Sequence, residues 1–191
     1  PDPERVLIVG LGGGTLPMFL RKHLPTARID VVEIDPIVLE VAKHDLGFRE
    51  DRDLVVHIAD GRKFIEESTE RWDVIVLDAY GADEIPGHLI TKPFYAAVRE
   101  RLEAGGLMAA NVWSEHANPK YKSMLRTLEA VFPEVHVVAP QKSESRIVLA
   151  LAGSEHLTRE DIATRAGVLR REWKLRFDLP RMVRLGHAGP D

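Results

Sequence analysis

The stretch RVLIVGLGGGTLPMFL, residues 5–20, runs from an apolar segment into a cluster of glycines and on into an amphipathic segment. A turn needs one or two glycines, yet Gly10, Gly12, Gly13 and Gly14 stand together here. Glycine opens positive φ and removes the Cβ that would keep a ligand off the backbone. The amides that open the following helix attract a polar or anionic group. By itself the loop is equally a tight strand-to-helix turn, so the remainder of the chain has to decide between turn and binding loop.

Apolar, β-branched runs alternate with amphipathic stretches along most of the chain. Periodicity predicts strands at 5–10, 28–33, 54–58, 73–78, 107–113, 135–139 and 146–152, and helices at 16–24, 36–46, 62–70, 92–104 and 120–131. Asp35-Pro36 and Thr91-Lys92-Pro93 are helix starts, and Gly47 and Gly105-Gly106 are helix stops. Alternation of this kind implies parallel strands with right-handed crossovers. Only PQKSES separates the last two strands, too short for a crossover, so they pair as an antiparallel hairpin. The expected fold is therefore α/β: a doubly wound, mostly parallel seven-stranded sheet closed by a C-terminal hairpin, the plan of class I methyltransferase-like Rossmann folds. Residues 1–173 are expected to form one domain, with a helix at 157–173, and 174–191 a packed or fraying tail.

Composition narrows the chemistry. The chain has 191 residues, 45% hydrophobic and 29% charged, the proportions of an ordinary globular domain. It has no cysteine, which excludes disulfides, thiolate metal sites and cysteine nucleophiles. The net charge of −4 and the lack of a basic tract argue against nucleic acid as a partner. No apolar run is long enough to span a bilayer, so no membrane association and a cytoplasmic location are expected. The eight histidines show no metal-ligand spacing, and no metal is expected.

Ligands of open parallel sheets bind beyond the carboxyl ends of the strands. The residues there are the glycine loop, Glu33, Asp60-Gly61 and Asp78. Glu33 follows the loop by about 20 residues, the spacing of an acid that accepts hydrogen bonds from ribose hydroxyls. Asp60 with Gly61 suits an exocyclic adenine amine, with helix capping as the competing role. Asp78 ends a buried central strand, where a carboxylate can take a proton from an amine or hold it by hydrogen bonding. Asp35 reads as a helix cap, and His88 as a surface or loop histidine. The stretch RREWKLR reads as a solvated helix face, with an interaction surface as the lesser reading.

With these residues assembled, the chain resembles the spermidine synthase family, aminopropyltransferases on a methyltransferase fold. The resemblance covers residues 5–113 and rests on RVLIVGLGGGTL, VVEIDPIVLEVAK, IADGRKFI and WDVIVLDAYGADEIPGHLITKPFYAAVRERLEAGGLMAANVW in that order. It implies a transferase of polyamine biosynthesis with decarboxylated S-adenosylmethionine as donor and an amine such as putrescine as acceptor. Gly10, Gly12 and Gly14 would cradle the donor, Glu33 would bind ribose, and Asp60 with Gly61 the adenine. Asp78 would be the base, and members often associate as homodimers.

Departures from the family pattern keep other readings open. Gly13 stands where the family loop GGGDGG has an aspartate, and Gly81 where its DSSDP segment has a second one. Asp83 or Glu84 substitutes there only in a rearranged loop, and Tyr80 is a candidate wall of the acceptor cleft. The family's N-terminal β-hairpin domain does not precede the first strand, and truncation of a longer chain is one expectation. Each lost charge-assisted contact is worth roughly 1.5–3 kcal/mol. The alternatives are a methyltransferase using S-adenosylmethionine, whose extra carboxylate a loop without the acid tolerates, and a non-catalytic nucleoside-binding homologue. A nicotinamide-dependent dehydrogenase is disfavoured by Thr15, Asp60 and the hairpin.

Overall fold

The computed structural model describes residues 2–79, 86–141 and 143–188. Within them the chain runs β1 (Arg5–Val9), α1 (Thr15–His23), β2 (Arg28–Glu33), α2 (Pro36–Asp45), β3 (Leu54–Ile58), α3 (Gly61–Glu67) and β4 (Trp72–Leu77). A 3-10 turn (Gly87–Ile90) leads into α4 (Lys92–Glu100), β5 (Leu102–Trp113), α5 (Tyr121–Glu129), β6 (Glu134–Val138) and β7 (Ser145–Leu151). The chain continues through α6 (Arg159–Glu172), α7 (Leu179–Gly186) and β8 (His187–Ala188). The strands form one sheet in the order β3-β2-β1-β4-β5-β7-β6-β8. Strands β1 to β5 pair in parallel, while β7 inserts antiparallel between β5 and β6. The short link between the last two predicted strands therefore makes the hairpin its length demands. None of the described helices is long and apolar enough to cross a membrane.

This order puts the functional edge at β1. The chain steps outward from β1 to β2 and β3, then returns to place β4 on the other side of β1. The strand order reverses there, and in open parallel sheets ligands bind beyond the carboxyl ends of the strands that flank such a reversal. Leu7, Val9 and Ile75 belong to the core on one side of the sheet, with Phe94 and Met108. Val6, Ile8 and Val31 belong to the core on the other side, with Phe48. Strands buried on both faces read as unbroken apolar runs, which is why LIV and VIVL carry no polar alternation.

Two expectations are corrected. The helix expected over 92–104 stops at Glu100, because the Arg101 carbonyl accepts from the Trp72 amide (2.9 Å) and turns the chain into β5. Strand pairing starts at Leu102↔Trp72 and resumes at Leu107↔Val74, so residues 103–106 form an irregularity. Gly105, at φ 83°, makes that bend. The sheet also has eight strands rather than seven. The tail expected at 174–191 contains helix α7, whose Val183 is buried with Ala163 and Ala166 of α6, and β8, which pairs with β6. The eighth strand is anchored by a buried histidine. His136 lies 2.9 Å from His187 of β8 through Nδ1 and 2.5 Å from the Glu134 carboxylate through Nε2.

Gly10 shows how tightly the β1 end is packed. A Cβ there would lie 2.4 Å from the Asp78 carbonyl oxygen, and its φ of 103° is left-handed. Gly12, at φ 51°, would direct a Cβ into open space. Gly10→Ala is therefore expected to cost about 2–4 kcal/mol of stability. Gly12→Ala is expected to cost about 1 kcal/mol, the conformational penalty alone. Urea unfolding of the two variants checks the difference.

Candidate functional site

The glycine loop separates packing from openness. Gly14 is glycine for want of room, since a Cβ would lie 2.5 Å from the Phe48 ring. Gly61 is held likewise by Val9 Cγ1 at 2.4 Å, where α3 begins beside β1. Gly12, by contrast, is exposed and faces nothing within 4 Å. Gly14 precedes α1 with no side-chain cap on the helix. The loop thus presents bare backbone and a helix start without a capping side chain at the switch point, an arrangement suited to a polar ligand.

Glu33 closes this loop from the neighbouring strand. It is 9% exposed, and its carboxylate accepts from the Leu11 amide (Oε2, 3.0 Å) and the Asp35 amide (Oε1, 3.0 Å). One acid at the end of β2 therefore fixes both the glycine loop and the entry to α2. A carboxylate has about four acceptor positions, so two remain for hydroxyl donors. Asp35 caps α2 by accepting from the Ile37 amide (2.8 Å), the role its place before Pro36 implied.

Asp60 lies beyond the end of β3, two residues past the Glu33↔Ile58 pair. Its Oδ1 accepts from the Lys63 amide (2.9 Å), so it caps α3, and its Oδ2 lies 3.1 Å from His88 Nε2. Burial pushes the carboxyl upward, but the Lys63 amide, the His88 ring and the Arg62 amide together outweigh it and hold it below the ordinary value. The Arg62 guanidinium reaches the His88 carbonyl (3.2 Å) and the Thr91 hydroxyl (3.4 Å). The segment before α4 is thereby tied to the start of α3. His88 is exposed, as a surface histidine is, but its ring belongs to the Asp60 cluster. Sequence reasoning missed that partnership because 28 residues separate the two.

Asp78 follows β4 directly. Its amide donates to Val9 O (2.9 Å) and its Oδ1 accepts from Asn111 Nδ2 (3.1 Å). Burial pushes its carboxyl above the ordinary 3.8, and the Asn111 hydrogen bond offsets this only in part. Asn111 was not anticipated, although it is the lone polar residue within LMAANVW. It lies one step past the Leu77↔Ala110 pair of β4 and β5, which brings it beside Asp78. An apolar hollow adjoins Asn111, walled by Leu77, Ala79, Leu89, Tyr95 and Met124. Tyr80, Asp83, Gly81 and Glu84 lie outside the described residues.

The structure therefore brings the glycine loop, Glu33, Asp60 and Asp78 to one sheet edge, at the ends of four neighbouring strands. Among the described residues no cluster of three or more His, Asp or Glu side chains has the arrangement of a metal site.

Comparison with known proteins bears on this arrangement. Residues 1–159 match the spermine/spermidine synthase domain. The polyamine aminopropyltransferase of Vibrio vulnificus is 35% identical over 158 residues, 81% of this chain and 52% of that protein. The eEF1A lysine and N-terminal methyltransferase of Bos taurus is 36% identical over 164 residues, 80% of this chain and 23% of that protein. The chain thus spans about half the length of the first relative and about a quarter of the second. Human methyltransferase-like protein 13, solved in complex with SAH, superposes with a TM-score of 0.82 at 31% identity. That superposition covers 92% of this chain and 84% of the other. The named relatives are transferases, and the superposition shows that the chain shares the fold of the human protein. By its matched residues and its fold alike, the chain belongs to the spermine/spermidine synthase family.

Proposed function

We propose that the chain binds an adenosyl sulfonium donor over the glycine loop and alkylates an amine. The donor we favour is decarboxylated S-adenosylmethionine, with its aminopropyl group passing to a small amine such as putrescine. The observation that carries this reading is the Asp78 carboxylate, raised by burial, held by Asn111 and hydrogen-bonded through its amide to β1 beside the loop. The residues present fit such a donor. Gly12 leaves room against the backbone, and the Glu33 carboxylate keeps acceptor positions for ribose hydroxyls. Asp60 has an oxygen for an adenine amine once the His88 contact yields.

When bound, the donor supplies an electrophilic carbon whose bond to sulfur breaks as the amine nitrogen attacks. The chain's own residues do the rest. Glu33 fixes the loop by accepting from the Leu11 amide, so the loop that faces the ribose is set before binding. Asp78 accepts a hydrogen bond from the attacking amine and then its proton, which passes to solvent. A free amine has a reference pKa near 10 and must be neutral to attack, so a nearby proton acceptor has direct work to do.

A second reading, methyl transfer from S-adenosylmethionine, is favoured by one observation. Gly13 stands in the loop where the aminopropyltransferase pattern has an aspartate, and a Cβ there would meet only Leu46 Cδ1 at 3.1 Å and the Thr15 hydroxyl at 4.0 Å. A loop without that acid does not repel the carboxylate that distinguishes the two donors. Calorimetry with both donors decides between the readings. The aminopropyl reading expects the decarboxylated donor to bind more tightly and putrescine to be consumed. Preference for the carboxylated donor with no turnover of putrescine selects methyl transfer, and binding of neither overturns the proposal.

A further inference from the structure

Helices α6 and α7 carry a basic hollow that the donor site does not use. It is lined by Arg170, Arg171, Lys174 and Arg176, with Gly167 and Pro180 on either side, and has a volume of about 520 Å³. Residues 159–184 hold eight Lys and Arg against four Asp and Glu, a local +4 in a chain whose total is −4. Arg170 pairs with Asp178 at 3.2 Å. Arg171, Lys174 and Arg176 have no acidic partner among the described residues. Cations in the last turn of a helix answer its dipole, which accounts for Arg170 and Arg171. That reason does not extend to Lys174 and Arg176, which lie beyond the helix. Lys174 also holds a left-handed φ of 51°, unusual for a residue other than glycine, at the elbow that brings the four cations together.

The hollow is remote from the glycine loop. Trp173 stacks on His23 at 4.8 Å and meets Phe19 edge-on at 5.6 Å, which sets this elbow against the last turn of α1. The glycine loop adjoins the first turn, about 13 Å away along the helix. The same two helices and their elbow expose apolar side chains: Val168 (38%), Phe177 (51%) and Leu185 (55%).

We propose that the α6–α7 elbow is a docking site for a protein partner that presents a short acidic segment with interspersed apolar residues. Guanidinium forks match carboxylates in bidentate geometry, and exposed Phe177 offers an apolar anchor beside them. A nucleic-acid strand fits less well. Outside residues 159–184 the chain carries a net −8, which repels any polyphosphate that extends past the hollow, whereas a short acidic segment stays within it.

The test uses the full chain and two labelled probes in fluorescence anisotropy: a peptide of glutamates interspersed with leucines, and an oligouridylate of matched charge. The peptide is expected to bind, less tightly as salt rises. Arg171→Glu with Arg176→Glu is expected to weaken it by at least about tenfold, since two charge-assisted contacts are lost. The same charge change on α5, Lys122→Glu with Arg126→Glu, is expected to leave binding within about twofold. Phe177→Ser is expected to weaken binding with the salt dependence unchanged. Thermal unfolding of each variant, together with the milder pair Arg171→Gln and Arg176→Gln, separates lost contacts from lost folding. Failure of the peptide to bind, equal loss in both charge-reversed pairs, or tighter binding of the oligouridylate overturns the proposal. None of these outcomes depends on the donor site.

Discussion

Asp78→Asn is expected to lower amine-directed transfer by about 10²–10⁴-fold, the usual contribution of a positioned general base. It is expected to leave donor binding within about twofold, because the Asp78 side chain bonds to Asn111 and the amide that ties Asp78 to Val9 beside the glycine loop is untouched by the substitution. Asparagine keeps an oxygen to accept from Asn111 Nδ2, so shape and packing survive while the proton acceptor is gone. The pH dependence follows from burial, which raises the Asp78 carboxyl above its ordinary 3.8. Activity that needs the ionised form is expected to be absent at acid pH and to rise through that elevated value, so the acid limb of the kcat/KM profile is expected to lie above the ordinary aspartate value of 3.8. The stability consequence has the opposite sign. A folded-state pKa above the unfolded one favours folding of the protonated form; that benefit is full below the unfolded value and lost as pH rises through the folded one. At neutral pH the wild type carries a partly desolvated charge, and the asparagine variant does not. The variant is therefore expected to melt at a higher temperature than wild type at neutral pH, with the difference shrinking toward pH 4. An Asp78→Asn enzyme of undiminished turnover, assayed with whichever donor binds, removes the proposed base.

That a residue should weaken the fold where it serves the chemistry explains part of what was legible in the sequence. Consistent local signals give the architecture. LIV and VIVL have nowhere to go but the centre of a sheet, Asp35-Pro36 caps α2 as its chemistry dictates, and the six residues between β6 and β7 leave only a hairpin. Acids at strand ends stand out because nothing in strand formation asks for them. Their partners do not stand out. Asn111 becomes a neighbour of Asp78 only through the β4–β5 register, and His88 reaches Asp60 only because the segment before α4 lies against the start of α3. The end of α4 is not legible because RLEA is a good helical sequence, and the pairing of Leu102 with Trp72, begun by the hydrogen bond from the Trp72 amide to the Arg101 carbonyl, overrides that propensity. The choice between a packed and a fraying tail is not legible for a similar reason. Helix α7 is short and amphipathic, and what holds it is burial of Val183 against Ala163 and Ala166.

Glu33→Ala is expected to abolish measurable binding of 5′-methylthioadenosine, the adenosyl product of aminopropyl transfer, which carries the adenosine moiety shared by both candidate donors. Two hydrogen bonds from ribose hydroxyls to a buried carboxylate are worth roughly 1.5–3 kcal/mol each, so the affinity falls by at least about 100-fold. Part of that loss is structural. Glu33 also accepts from the Leu11 and Asp35 amides, and alanine leaves both without their carboxylate while the loop loses its tie to β2. Glu33→Gln separates the two contributions. The amide keeps the length and one acceptor oxygen, so one of the two tethers persists, but it offers a neutral acceptor where the acid offers a charged one. An intermediate loss of about tenfold in the glutamine variant, with circular dichroism and unfolding close to wild type, identifies Glu33 as a direct acceptor of the ribose. If glutamine binds the nucleoside as tightly as glutamate while alanine unfolds, the residue is a loop tether alone. If alanine itself binds undiminished, the nucleoside site lies elsewhere on the sheet edge, and the glycine loop is nothing more than the turn its backbone permits.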